Sequence, residues 1–200
     1  MGVTPQDREF GLGRGKAFPA DRAKSLLNPA RRLVQSPRRT VAAMGLTPDA
    51  RVLEVGSGPG FFSPSIAAAV PHGRFVLVDL HAEMLVFARG RVGQGVHVAF
   101  AQADACALPI STGRFDAVFL ATVLGEVPDR DACIAEIGRV LRPGGTVTIA
   151  ETRRDSDFVP LTLLRELLSR HRFSFIGRRG WAWQYAASFR CHEPRPESEH

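Results

Sequence analysis

The sequence lacks most of the features that would assign a chain to a class at sight. No apolar run approaches the roughly 20 residues needed to cross a bilayer. The opening stretch MGVTPQDREFGLGRGKAF has no apolar centre of the kind a secretory leader carries, so the chain is expected to stay in the cytoplasm. Cysteine is scarce: Cys106, Cys133 and Cys191 are widely spaced, odd in number and form no CxxC pair. That argues against a disulfide framework and against a zinc site. His72, His97, His192 and His200 show no metal-ligand spacing, and no metal is expected. Basic residues are not interleaved with aromatics in the manner that stacks RNA bases. There is no internal repeat.

What is present suits one globular domain: 200 residues, 44% of them hydrophobic, enough to build a real core. The net charge of +6 is unevenly placed. Residues 1–40 hold nine Lys or Arg against three acids, so this segment carries the whole excess. It reads as a solvated extension in preference to an anion-binding arm for RNA or membrane. Residues 1–27 are expected to be a basic, partly disordered N-terminal arm, 28–192 the folded domain, and 193–200 a disordered tail.

From residue 36 onward the pattern is regular. Ser36 and Pro37 suit a helix start and Gly45 a stop. RVLEV (51–55), RFVLVDL (74–80), HVAFAQAD (97–104), FDAVFLATVL (115–124) and TVTIAE (146–151) hold strands, the last following a Pro143-Gly144-Gly145 turn. SPSIAAAV (63–70), AEMLVFARGRV (82–92) and RDACIAEIGRVL (130–141) are helical between them. Strands that are apolar on both faces and alternate with helices predict a doubly wound, Rossmann-like α/β sheet. The end differs. After an amphipathic helix at 160–171, FSFIGRRG (173–180) and WAWQYAASFRC (181–191) are separated by a short Arg-Gly turn. So short a connection permits an antiparallel hairpin and forbids a parallel crossover.

The most informative stretch is VLEVGSGPG (52–60), where Gly56, Gly58 and Gly60 follow an apolar strand and precede a helix. Free amides and the positive end of the helix dipole meet there, and glycines let a ligand approach the backbone. The dinucleotide fingerprint G-x-G-x-x-G would need its third glycine at position 61, which is Phe61. That weighs against a nicotinamide-linked oxidoreductase. Asp79 ends the second strand and Asp104 follows the third. Both lie where open α/β sheets bind ligands, placed to accept from ribose hydroxyls and from an adenine amino group respectively.

This constellation resembles the class I S-adenosylmethionine-dependent methyltransferases, on VLEVGSGPG (52–60), VLVDLHAEML (76–85), QADACALP (102–109), FDAVFLATVLGEVPD (115–129) and RVLRPGGTVTIAE (139–151). Within them the chain looks like the compact small-molecule enzymes related to ubiquinone/menaquinone biosynthesis. Residues 26–46 look like the lead-in segment of their short relatives. The resemblance implies a seven-stranded sheet, mostly parallel with an antiparallel C-terminal hairpin. It also implies S-adenosyl-L-methionine as cofactor. Gly56, Ser57, Gly58 and Gly60 would hug its methionyl part, with Glu54 orienting that loop or meeting the amino group. Asp79 would bind the ribose, Leu80 and Met84 would pack on the adenosine, and Asp104 and Ala105 would hold the adenine. Ala121 would lie near the transferable methyl. Pro64 is expected to delay the start of the following helix.

Methyl transfer from a sulfonium needs chiefly that an acceptor be held in line, and a base only where the acceptor must lose a proton. Candidate bases are His81, Glu126, Asp129 and His171, although Glu126 and Asp129 are also natural caps or surface charges. No catalytic residue is assigned. The acceptor pocket is expected from Asn28–Val34, Val123–Val127, Asp155–Leu164 and Arg178–Trp183. At least one of Trp181 and Trp183 is expected to pack on the sheet. These segments suit a small, anionic or quinone-like molecule. LATVLGEVPD lacks the Asn/Asp-Pro-Pro-aromatic and Pro-Cys motifs of nucleic-acid methylation, so nucleic acid is possible but not favoured. The alternatives are a non-catalytic S-adenosylmethionine-binding protein and an RNA methyltransferase using the basic arm.

Overall fold

The computed structural model describes residues 27, 35–93, 95 and 97–192. The expected N-terminal arm (all of it but Leu27), the C-terminal tail and the Asn28–Val34 part of the acceptor pocket lie outside the described residues. Seven strands form one sheet. In chain order the elements are α1 (Pro37–Ala42), β1 (Arg51–Val55), α2 (Ser63–Ala69), β2 (Arg74–Asp79), α3 (Ala82–Val92) and β3 (Val98–Gln102). There follow β4 (Phe115–Ala121), α4 (Arg130–Val140), β5 (Leu141–Thr152), α5 (Leu161–Arg170), β6 (Phe173–Trp181) and β7 (Gln184–Cys191). The strand order is β3-β2-β1-β4-β5-β7-β6. The first five strands are parallel, and β7 runs antiparallel to both β5 and β6. Parallel neighbours require helical crossovers, and the helical segments anticipated between the strands supply them.

Strand periodicity divides the core. Leu53, Val55, Val118, Leu120, Val147 and Ile149 face α4 and α5, where Ile134, Ile137, Leu164 and Leu168 meet them. Val52, Phe75, Leu77, Ala117, Phe119 and Ala150 face the other way, onto Val41 of α1, Ile66 of α2 and Ala88 of α3. Alternate side chains along one strand point to opposite faces, so a strand covered on both sides reads as continuously apolar. Burying a side chain such as Ile66 or Phe119 completely contributes roughly 1.5–3 kcal/mol each. Helix starts are locally encoded. Ser36 Oγ accepts from Arg39 N at 3.4 Å, and Pro37 occupies the first turn of α1. Asp129 Oδ1 accepts from Ala132 N at 2.9 Å to cap α4. In α2 the helix opens at Ser63, with Pro64 in its first turn, where no intrahelical donor is lost.

Three expectations change. The fifth strand begins at Leu141, not Thr146. The Pro143-Gly144-Gly145 turn is absorbed into it as a break in the β4–β5 register between Phe115 and Ala117. The C-terminal hairpin turns at Ala182-Trp183, two residues past the Arg-Gly pair. Gly180 lies inside the hairpin at φ 93°, where a Cβ would stand 2.4 Å from the Gln184 carbonyl oxygen. That glycine serves close strand approach, not the reversal. Finally, neither tryptophan packs on the sheet: Trp181 is 72% and Trp183 48% exposed.

Candidate functional site

A cavity opens at the carboxyl ends of β1, β2 and β4, the edge at which a doubly wound sheet binds ligands. The corner after β1 forms its floor. Gly56 and Ser57 donate their amides to the Val78 carbonyl at 2.9 and 3.1 Å, folding the corner back on β2. Gly56 has φ 66°, and a Cβ there would stand 2.3 Å from Val123 Cγ2. Only glycine therefore fits between β1 and the segment after β4.

Asp79 locks this corner. Its Oδ2 accepts from Gly58 N at 2.7 Å and its Oδ1 from His81 N at 3.0 Å. Each carboxylate oxygen has two lone pairs, so both keep acceptor capacity toward the cavity. Glu54 lies 3% exposed at the back, with Oε2 accepting from Ser63 Oγ at 2.6 Å. Burial, opposed by that hydrogen bond and reinforced by the negative Asp79, pushes its carboxyl up to about 8. Two polar atoms of cavity-lining residues, Ser57 Oγ and His81 Nε2, are buried without a hydrogen-bond partner. Such groups are costly unless something satisfies them.

The structure brings ten of the eleven predicted positions to this cavity: Glu54, Gly56, Ser57, Gly58, Asp79, Leu80, Met84, Asp104, Ala105 and Ala121. Gly60 does not line it. An added Cβ there would meet Ala88 Cα of α3 at 3.0 Å, and its carbonyl accepts from Arg91 Nε at 3.0 Å. Gly60 thus seats the corner against α3. Asp104 is exposed, with Oδ1 accepting from Cys106 N at 2.8 Å. Of the candidate bases, His81 and Glu126 line the cavity. Asp129 is the cap of α4, and His171 Nε2 pairs with Asp131 at 2.7 Å, away from the cavity. Of the expected acceptor segments, Val123, Glu126, Val127 and Asp155 reach the cavity, while Arg178–Trp183 does not.

Sequence reasoning missed Thr122. It lines the cavity with φ 55°, a conformation that a β-branched residue adopts only under constraint. Its N–H donates to the Ala150 carbonyl at 2.9 Å, tying the end of β4 to β5. Strain of this kind costs roughly 1–3 kcal/mol and concentrates at functional sites. No residue-type signal marks it, because threonine is ordinarily a strand residue.

Comparison with known proteins agrees with this geometry. A family described as a methyltransferase domain matches residues 52–145, from β1 into the turn within β5. By fold and by domain, the chain belongs with the class I S-adenosylmethionine-dependent methyltransferases. It is 37% identical over 118 residues to the ubiquinone/menaquinone biosynthesis C-methyltransferase UbiE of Hahella chejuensis, covering 57% of this chain and 47% of that one. It is 33% identical over 147 residues to the UbiE of Ectopseudomonas mendocina, covering 72% and 56%. The chain spans about half the length of the curated relatives it matches. Among solved structures, an S-adenosylmethionine-dependent methyltransferase from Aquifex aeolicus superposes with TM-score 0.78 at 19% identity, over 87% of this chain and 98% of that one. The [4+2]-cyclase SpnF superposes with TM-score 0.67 at 20% identity, over 78% and 80%. At such identities the likeness is one of fold, and the cyclase shows that this fold hosts other chemistry. Among the described residues of this methyltransferase domain, no helix is long and apolar enough to cross a membrane.

Proposed function

We propose that this chain binds S-adenosylmethionine in the cavity at the ends of β1, β2 and β4 and transfers its methyl group to a small-molecule acceptor. The observation that carries this reading is the convergence of Glu54, Asp79 and the side-chain-poor corner on one cavity that leaves Ser57 Oγ and His81 Nε2 without partners. These residues fit an adenosyl ligand bearing an ammonium group. Asp79 would accept from ribose hydroxyls with the lone pairs that Gly58 and His81 leave free. Glu54, held protonated by burial, would ionise beside the ligand's ammonium, since a nearby opposite charge favours the charged form. Leu80 and Met84 would flank the adenosine, and Asp104 and Ala105 would hold the adenine edge.

When bound, the cofactor would supply a methyl on positive sulfur, with a neutral thioether as the leaving group for the acceptor's lone pair. The chain's part is alignment. Ala121 and the strained Thr122 form the wall nearest the reacting end. His81 and Glu126 are within the same cavity to take an acceptor proton.

Calorimetry on the ligand-stripped chain tests this. S-adenosylmethionine and its demethylated product are both expected to bind. At about 100 times the dissociation constant the ligand should stabilise the fold by roughly 2.7 kcal/mol. Asp79→Ala should lose most of that gain. Absence of uptake by the wild-type chain overturns the reading. RNA, drawn by the excess positive charge of residues 1–40, is the second class of acceptor. That reading expects RNA binding that weakens steeply with salt and disappears on deletion of the segment.

A further inference from the structure

The two tryptophans that do not pack on the sheet stand together at one end of the molecule. Arg178 through Trp183 are all exposed, so the end of the β6–β7 hairpin projects from the fold. Trp181 and Trp183 lie on either side of its reversal, separated by Ala182. Large apolar side chains exposed next to one another mark a contact surface.

The charge around them has one sign. Residues 167–192 hold five arginines and no acid. Two of these, Arg178 and Arg179, directly precede the tip. Arg179 pairs with Ala186 and Trp181 with Gln184, so both project from the same face of the hairpin. Arg153 N donates to the Trp183 carbonyl at 2.8 Å, which brings Arg153 and Arg154 alongside. All four arginines are exposed. Arg154, Arg178 and Arg179 form no ion pair among the described residues. Asp155, the first acid after Arg154, lines the cavity. Arg39 of α1 borders one trough with Arg179 and extends the positive surface. The sequence leading into α1, residues 1–34, carries seven Lys or Arg against three acids. The position of the tip matters too. Gln184 pairs with Thr152, the last residue of β5, and β5 runs parallel to β4. The tip therefore lies along the edge of the sheet at which the cavity opens.

We propose that the β6–β7 tip docks this chain onto an anionic lipid bilayer, with Trp181 and Trp183 in the headgroup layer and Arg154, Arg178 and Arg179 on lipid phosphates. Indole rings settle at that level, where the ring is apolar and its N–H stays wet. Guanidinium groups beside them match phosphate geometry and gain from the negative surface potential. Single-stranded RNA is held in grooves that track its backbone, whereas this surface is the projecting end of a two-stranded hairpin. A bilayer docked here faces the edge that carries the cavity.

Trp181 and Trp183 are the only tryptophans of the chain, so their emission reports on the tip alone. The test mixes the full chain with vesicles of phosphatidylglycerol and phosphatidylcholine in equal parts, or of phosphatidylcholine alone. The mixed vesicles are expected to shift tryptophan emission to the blue, and brominated lipid tails to quench it. Phosphatidylcholine alone should leave it unchanged. By co-sedimentation, Arg178→Gln/Arg179→Gln should weaken partitioning about fivefold for each arginine, roughly twenty-fivefold for the pair. Trp181→Ala/Trp183→Ala should weaken it at least tenfold, with an unfolding temperature close to that of wild type. Absence of association with the mixed vesicles overturns the proposal. So does association with unshifted emission, which would place the contact elsewhere on the chain, or wild-type partitioning by either double variant. A shift produced by a single-stranded RNA oligonucleotide and not by the vesicles also overturns it, in favour of a nucleic-acid surface. None of these readouts involves the cofactor, so the proposal stands or falls apart from the methyl-transfer reading.

Discussion

Two glutamates are buried at the carboxyl ends of the strands that flank β4, and the fold treats them differently. Glu54 on β1 and Glu151 on β5 are 3% and 1% exposed, and burial raises the proton affinity of both. Glu54 points to the α1–α3 face, takes a short hydrogen bond from Ser63 and lines the cavity at the ends of β1, β2 and β4. Glu151 points to the α4–α5 face, where Val159 N reaches its Oε2 at 3.5 Å and Oε1 has no partner. It does not line that cavity. Tyr185, paired with Glu151 across β5 and β7, donates instead to the Val159 carbonyl at 2.5 Å. Glu151 and Tyr185 together pin the segment between β5 and α5. A buried carboxylate with raised proton affinity is therefore not by itself the mark of a ligand site. What separates the two regions is that Glu54 lines the cavity at the ends of β1, β2 and β4 and Glu151, on the opposite face of the sheet, does not.

The comparison can be broken or sharpened experimentally, beginning with the glycines of each region. Gly56→Ala and Gly180→Ala each force a Cβ into a left-handed backbone, 2.3 Å from Val123 Cγ2 and 2.4 Å from the Gln184 carbonyl oxygen. Each is expected to cost about 2–4 kcal/mol in denaturant unfolding. Only Gly56→Ala should also abolish calorimetric uptake of S-adenosylmethionine. Equal loss of uptake in both variants would show that the hairpin belongs to the cofactor site.

The glutamates come next. Burial lifts the Glu54 carboxyl from 4.5 to about 8, so between those values the folded chain holds a proton that the unfolded chain has released. The stabilisation is complete below about pH 4.5 and is lost as the pH rises through about 8. Ligand-free wild-type protein should lose thermal stability across this range, and Glu54→Gln should flatten the profile. Glu151→Gln should flatten it as well, the shift being in the same direction. Cofactor affinity should fall in Glu54→Gln and be unchanged in Glu151→Gln. Matching affinities in the two variants would remove Glu54 from the proposed binding role.

A smaller effect is expected of Tyr185→Phe. It leaves the Val159 carbonyl, in a residue 2% exposed, without its hydroxyl donor. The expected loss is about 1–2 kcal/mol, with cofactor affinity within twofold of wild type by calorimetry. Smallest of all, Trp181→Ala removes a side chain that is 72% exposed at the hairpin tip. Its unfolding free energy should stay within about 0.5 kcal/mol of wild type.

Much of this comparison is visible in the chain before folding is considered, and some of it is not. Alternating strand and helix periods announce the doubly wound sheet because each period is set by local backbone geometry. The antiparallel hairpin follows from a connection too short for a crossover, although the turn lies at Ala182-Trp183 and not at the Arg-Gly pair. The corner at 56–60 stands out because a left-handed backbone at Gly56 and a close approach at Gly60 demand the same residue type. For that reason, too, the sequence could not separate the glycine that faces the cavity from the one that seats α3. Asp129 is equally suited to cap a helix or to take a proton, and only its bond to Ala132 N decides between them.

By itself, then, the sequence determined the order of the elements, the face each strand residue takes, and which short stretches can bend sharply or carry charge at a strand end. These are properties of neighbours within a few residues. The tertiary structure alone decided that Gly56 abuts Val123, that Thr122 is held in a left-handed turn by Ala150, and that Glu54 lines the cavity at the ends of β1, β2 and β4 while Glu151 does not. Each of these joins positions far apart in the chain. Their meeting depends on strand register and helix packing, which are settled only when the whole core closes.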